Sequence, residues 1–164
     1  MASSIFLSGK KLEVEFSEKK FLRPKVIFSD AKIFIFNSTD GKKTDKKILE
    51  EALIKYAREV ISEKTKNYAP QFNFEYLKVS IKDQSSVWGS CSSRKNLNFN
   101  WRLILAEEPR VLDYVIIHEL THTKIMNHSR SFWDHVEMLM PEYRNYKEWL
   151  KKRGHELKEM IRQL

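Results

Sequence analysis

The chain has a single cysteine, Cys91, so it can form no internal disulfide, and a reducing compartment is expected. Four glycines and four prolines among 164 residues exclude collagen-like and low-complexity architectures. No apolar run approaches the roughly 18 residues of a membrane span, and the opening stretch through Ile5, Phe6 and Leu7 is too short for a secretory core. There is no internal repeat and no linker long enough to divide the chain. These absences predict a soluble, cytoplasmic protein with no membrane partner, folded as a single domain over 1–164.

Hydrophobic residues make up 41% of the chain, enough for a core of its own. The formal charge of +8 is carried mostly by scattered lysines, with a local run at Lys42, Lys43, Lys46 and Lys47. No recognised nucleic-acid motif accompanies that charge, so it reads as a solvated basic surface.

Period-two patterning predicts short strands over 12–16, 25–28 and 33–36, closed by the turn residues Asn37 to Gly41. An amphipathic helix follows, capped by Thr44 or Asp45, with Ile48, Leu49, Ala52, Leu53, Tyr56, Ala57, Val60 and Ile61 as its recurring apolar residues, and is expected to end before Pro70. Strands over 76–81, 86–90 and 97–104 suggest a β-meander. Pro109 opens a helix expected to reach about Met126, where Asn127 supplies a left-handed terminator. A helix capped by Ser129 or Ser131 then runs to a break at Pro141, and a last one over 143–153 stops at Gly154.

Three of the five histidines fall at 118, 122 and 128. On a helix turning about 100° per residue, His118 and His122 lie about 40° apart and one turn along, so both imidazoles reach one ion. Glu119 lies about 100° round from His118, beside the ligand line, where a general base belongs. Catalytic zinc needs a third protein ligand and an open fourth position. His128, returning just past Asn127, supplies it, with Glu142 as the alternative ligand. A closed structural zinc site, or a histidine pair with no metal, remains as the bland reading.

The runs Val87-Trp88-Gly89-Ser90-Cys91, Asn96 to Leu103, Asp113 to Leu120, Asn127-His128-Ser129 and Phe132-Trp133 resemble the YgjP-like zinc metallopeptidases, relatives of the SprT and WLM groups. The resemblance is carried by residues 85–153. It implies an α+β, zincin-like fold: a twisted, mainly antiparallel sheet with a backing helix, an HExxH active-site helix and a small helical C-terminal lobe. The corresponding parts are N-terminal strands and backing helix over 1–70, meander and metal helix over 71–127, and lobe over 128–164. The implied roles are zinc ligation by His118, His122 and His128 and base catalysis by Glu119. Ile125 stands where metzincins carry a helix-ending glycine.

The reading is therefore a zinc-dependent hydrolase of peptide bonds with a polypeptide substrate. Nucleoside triphosphate pyrophosphatase activity, notably on UTP, is a second activity that the resemblance implies, with Arg94, Lys95 and Arg102 as the phosphate-facing cluster. A third is a DNA-associated SprT-like protease or a non-catalytic nucleic-acid-binding module, testable by salt dependence. Tyr143, Tyr146, His135 and Arg102 are the candidate oxyanion donors. The strand at Trp88-Gly89-Ser90 is expected to form the cleft edge, Gly89 allowing a backbone to approach or marking a bulge. Cys91 reads as a small buried hydrophobe, Asp134 as a carboxylate behind a ligand histidine or a capping partner of Ser131, and Met138 and Met140 as core residues. Phe132, Trp133 and Trp149 read as packing of the C-terminal lobe.

Overall fold

A computed structural model describes residues 3–164. Strands β1 (Ser3–Leu7), β2 (Lys10–Phe21), β3 (Lys25–Phe28) and β4 (Lys32–Ser38) form one sheet in the order β1-β2-β4-β3. Alternate residues Leu12 and Val14 of β2, and Ile33 and Ile35 of β4, turn inward, as period-two patterning requires. Helix α1 (Asp45–Gln71) covers that face. Thr44 is its cap, its side chain accepting the Lys47 N–H at 3.3 Å. Ile48, Leu49, Leu53, Ala57 and Ile61 recur at three- and four-residue spacing and are buried.

Pro70 does not stop α1 but lies in its last turn. A proline there removes only one backbone donor. The turn still closes through the Phe72 N–H on the Tyr68 carbonyl (3.1 Å) and the Phe74 N–H on that of Ala69 (2.7 Å).

Strands β5 (Lys78–Lys82), β6 (Gly89–Cys91) and β7 (Asn96–Asn100) make a second sheet, ordered β5-β7-β6, with β5 parallel and β6 antiparallel to β7. This replaces the expected meander, and the described residues form two mixed sheets in which three of the five strand pairings are antiparallel. The central place goes to the strand with the most to bury, since Leu97 and Phe99 are both 0% exposed. The last expected strand also stops early. Asn100 accepts the Arg102 N–H at 3.1 Å and donates to the Gln84 carbonyl at 2.6 Å, turning Trp101–Leu105 into a 3-10 helix.

Helices α2 (Arg110–His122), α3 (Arg130–Leu139) and α4 (Tyr143–Glu159) complete the α+β fold. Lys64 of α1 pairs with the mostly buried Asp113 of α2 at 2.8 Å. Helix α4 passes through Gly154 where the sequence predicts a stop, because that glycine is buried against Trp88. Met140 is core, as expected, whereas Met138 is 66% exposed on α3. No helix among the described residues is long and apolar enough to cross a membrane.

Candidate metal centre

Helix α2 is buried on almost every side, with Val111, Val115, Ile116 and Leu120 in the core. Burial holds the helix rigid, so His118 and His122, one turn apart, keep a fixed relation, with their Nε2 atoms 3.3 Å apart. The helix ends at His122, four residues earlier than the periodicity predicts. Two threonines account for this. The Thr121 hydroxyl donates to the Ile117 carbonyl (2.8 Å) and that of Thr123 to Leu120 (2.7 Å), while the Ile125 N–H returns to Thr121 (3.0 Å). Asn127 is not left-handed; its side chain accepts the Ser129 N–H at 3.3 Å and shapes the turn that returns His128.

His128 Nε2 lies 3.0 Å from His118 Nε2 and 3.1 Å from His122 Nε2. Tetrahedral zinc with ligand nitrogens at about 2.0–2.1 Å has edges of about 3.3 Å, so the three donors fit such an ion. The Ile125 carbonyl accepts from His122 Nδ1 at 3.0 Å, which leaves His122 Nε2 as the free donor atom. Phe132, fully buried, packs against all three rings at centroid distances of 4.5–4.9 Å, and Trp133 stacks on His128 at 5.6 Å. His118 Nδ1 is buried without a partner. Burial, then His122, His128 and Lys147, pushes His118 down to about 3, and burial lowers His122 as well. Neutral imidazoles are the form that binds metal.

Glu119 is 5% exposed, and burial pushes its carboxyl up to about 8. It faces Gly89 of β6, and a Cβ at that position would stand 2.6 Å from Glu119 Oε1. The glycine thus admits a carboxylate, where the sequence reading expected a backbone or a bulge. Gly89, Ser90 and Cys91 form one wall of a cleft of about 260 Å³, with Met126 and His128 on the other. Cys91 is half-buried in that wall, its thiol pushed up to about 11 by burial and then by Glu119.

Other candidates lie elsewhere. Glu142 pairs with Arg110 at 3.5 Å, away from the histidines. Asp134 is exposed and faces Arg130 at 3.8 Å, neither behind a ligand histidine nor capping with Ser131. Arg102 is engaged by Asp83 and lies 3.9 Å from Glu50, and Lys95 holds Glu75 at 3.3 Å, so two of the three basic-cluster residues face carboxylates. Tyr143 stacks on Trp133 at 5.4 Å, Tyr146 sits under Arg110 and His135 against Phe74, and none of these lines the cleft. The Ile125 carbonyl and the stacking of Trp133 on His128 were missed by sequence reasoning. A tryptophan five residues past the third histidine was the available signal.

The profile of the YgjP-like metallopeptidase domain matches residues 2–153. The chain belongs to the YgjP-like metallopeptidase family. The YgjP-like match takes in both sheets and runs into α4, ending one residue before Gly154. The metallopeptidase domain thus contains three histidines able to hold a metal. The YgjP-like chain is also similar to the crystal structure of the metallopeptidase zymogen of Pyrococcus abyssi abylysin. That similarity is 21% identity over 56% of this chain and 93% of that one, with a TM-score of 0.49. No curated protein matches it.

Proposed function

We propose that the protein is a zinc-dependent peptidase in which His118, His122 and His128 hold the metal and Glu119 is the general base. The observation that carries this reading is the meeting of the His118, His122 and His128 Nε2 atoms within 3.0–3.3 Å of one another, with the buried carboxyl of Glu119 on the residue next to His118. Zinc bound there supplies Lewis-acid polarisation of a carbonyl and brings the proton of water within reach of a protein base. Glu119 takes that proton at a carboxylate oxygen and returns it to the leaving amine. Burial raises the proton affinity of Glu119 in the metal-free site, and a cation held beside it would lower that affinity again toward the carboxylate that the first step needs.

Strand β6 pairs with β7 on one side only, and its three residues line the cleft, so an extended peptide adds to its open edge by backbone hydrogen bonds. Such pairing reads main chain more than side chain and favours unfolded segments as substrates.

The test is to incubate zinc-loaded protein with a mixture of unfolded polypeptides and nucleoside triphosphates and read the products by mass spectrometry. New peptide termini are expected. In Glu119→Gln they fall by about 10²–10⁴-fold while one zinc per chain is retained. Nucleoside monophosphate and pyrophosphate in place of new termini would overturn the peptide assignment, and undiminished cleavage by Glu119→Gln would remove its base.

A further inference from the structure

Two of the glycines mark places where side chains from distant parts of the chain press into the backbone. At Gly89 of β6, an added Cβ would lie 2.6 Å from Oε1, 2.7 Å from Cγ and 2.9 Å from Cδ of Glu119. At Gly154 of α4, it would lie 2.9 Å from Cζ2 and 3.2 Å from Nε1 of Trp88. Trp88 directly precedes Gly89, so the two close contacts fall on consecutive residues where the chain enters β6. The strand is held from three sides at that point. The Asn100 N–H donates to the Trp88 carbonyl at 2.8 Å, and Gly89 is in register with Phe99 of β7. Lys158 of α4 lies 5.3 Å from the centre of the Trp88 ring and donates to the Ser85 carbonyl.

We propose that Gly89 is a positioning residue for Glu119: its bare backbone walls the carboxylate into place beside the histidine cluster, and Gly154, by letting Trp88 sink onto α4, sets the height of that wall. The proposal rests on the reading of Glu119 as the base. The three atoms nearest to a side chain at Gly89 all belong to the Glu119 side chain, so the glutamate is what yields. Displacement of a reacting group by about 1 Å costs about 100-fold in rate. Alanine at Gly154 has the higher helix propensity, so α4 persists and the strain passes to Trp88 and β6.

Two readouts separate this role from a merely structural one. In zinc-loaded Gly89→Ala, kcat falls about 100-fold with zinc affinity unchanged, the latter read by competition with a chromophoric chelator. Gly154→Ala gives a smaller fall in kcat of the same kind, and Trp88→Phe, which shortens the intruding ring, abolishes the further effect of Gly154→Ala. The second readout needs no turnover. Gly89→Ala lowers the thermal midpoint by about 2–4 °C in the wild-type background and leaves it unchanged in Glu119→Ala, where the obstructed side chain is gone. Equal shifts in the two backgrounds, or a Gly89→Ala enzyme with wild-type kcat, would overturn the proposal. If the wild-type chain cleaves no peptide, the function assigned above fails, while the thermal cycle still decides whether Gly89 places Glu119.

Discussion

Glu119, His118 and His122 are each shifted first of all by the loss of water around them. Desolvation raises the carboxyl to about 8 and pushes His118 down to about 3, so one group gains proton affinity while its neighbour stays neutral. His128 differs from the other two in being exposed, with Trp133 stacked on one face to orient it. As the proposed third ligand, His128 is a donor whose loss is expected to cost more than that of an outer partner, so His128→Ala should weaken zinc binding by more than roughly 10–100-fold. Glu142→Ala is expected to leave the affinity at the wild-type value, because that carboxylate is turned toward Arg110. Equilibrium dialysis of both variants checks the pair; a zinc loss in Glu142→Ala would exchange their roles.

Among the elements, the connection from β5 to β6 is what delivers the cleft wall, and Asp83 at its start is tied to Arg102 of the 3-10 turn. The Arg102 guanidinium holds the Asp83 carboxyl below its ordinary value of 3.8. A carboxyl depressed in the folded state stabilises the fold above 3.8, and that contribution disappears as the pH falls through the folded value. Asp83 is half exposed, so its contribution is at most about 1 kcal/mol. Asp83→Asn is therefore expected to lower the thermal midpoint slightly at pH 7, and the gap to wild type should close in acid below the carboxylate range. Melting curves from pH 7 downward measure it; a gap that widens in acid would contradict the pairing.

For the molecule as a whole, α1 is the common support, packing against β3 and β4 of the first sheet, β5 of the second, and α2. Leu53 lies at its middle with no exposed surface. Leu53→Ala is expected to cost about 2–5 kcal/mol, as truncation of a buried leucine does, and to depress the thermal midpoint by roughly 5–15 °C. Because one helix serves both sheets, we expect a single unfolding transition to shift, seen by far- and near-ultraviolet circular dichroism together. Two separate transitions would show that the sheets fold independently.

Local periodicity was enough to read α1, β3, β4, the middle of β2 and the helical spacing of His118, Glu119 and His122, because each depends on residues within one or two turns, whereas β1 and the far end of β2 went unread. The return of His128 was legible as a need for a third donor ten positions on. Helix ends were less so: the hydroxyls of Thr121 and Thr123 closed α2 early, and Pro70 and Gly154 were tolerated because of where they sit. The order β5-β7-β6 was decided by which strand had the most apolar surface to bury, Leu97 and Phe99 of β7, a comparison that exists only once the layers are stacked. The sequence by itself determined which residues are the candidate metal donors, since their chemistry and spacing lie on one short stretch of chain. Tertiary structure alone decided what surrounds them: Gly89 against a carboxylate thirty residues away, and Trp88 against Gly154, are contacts between elements whose meeting no local pattern encodes.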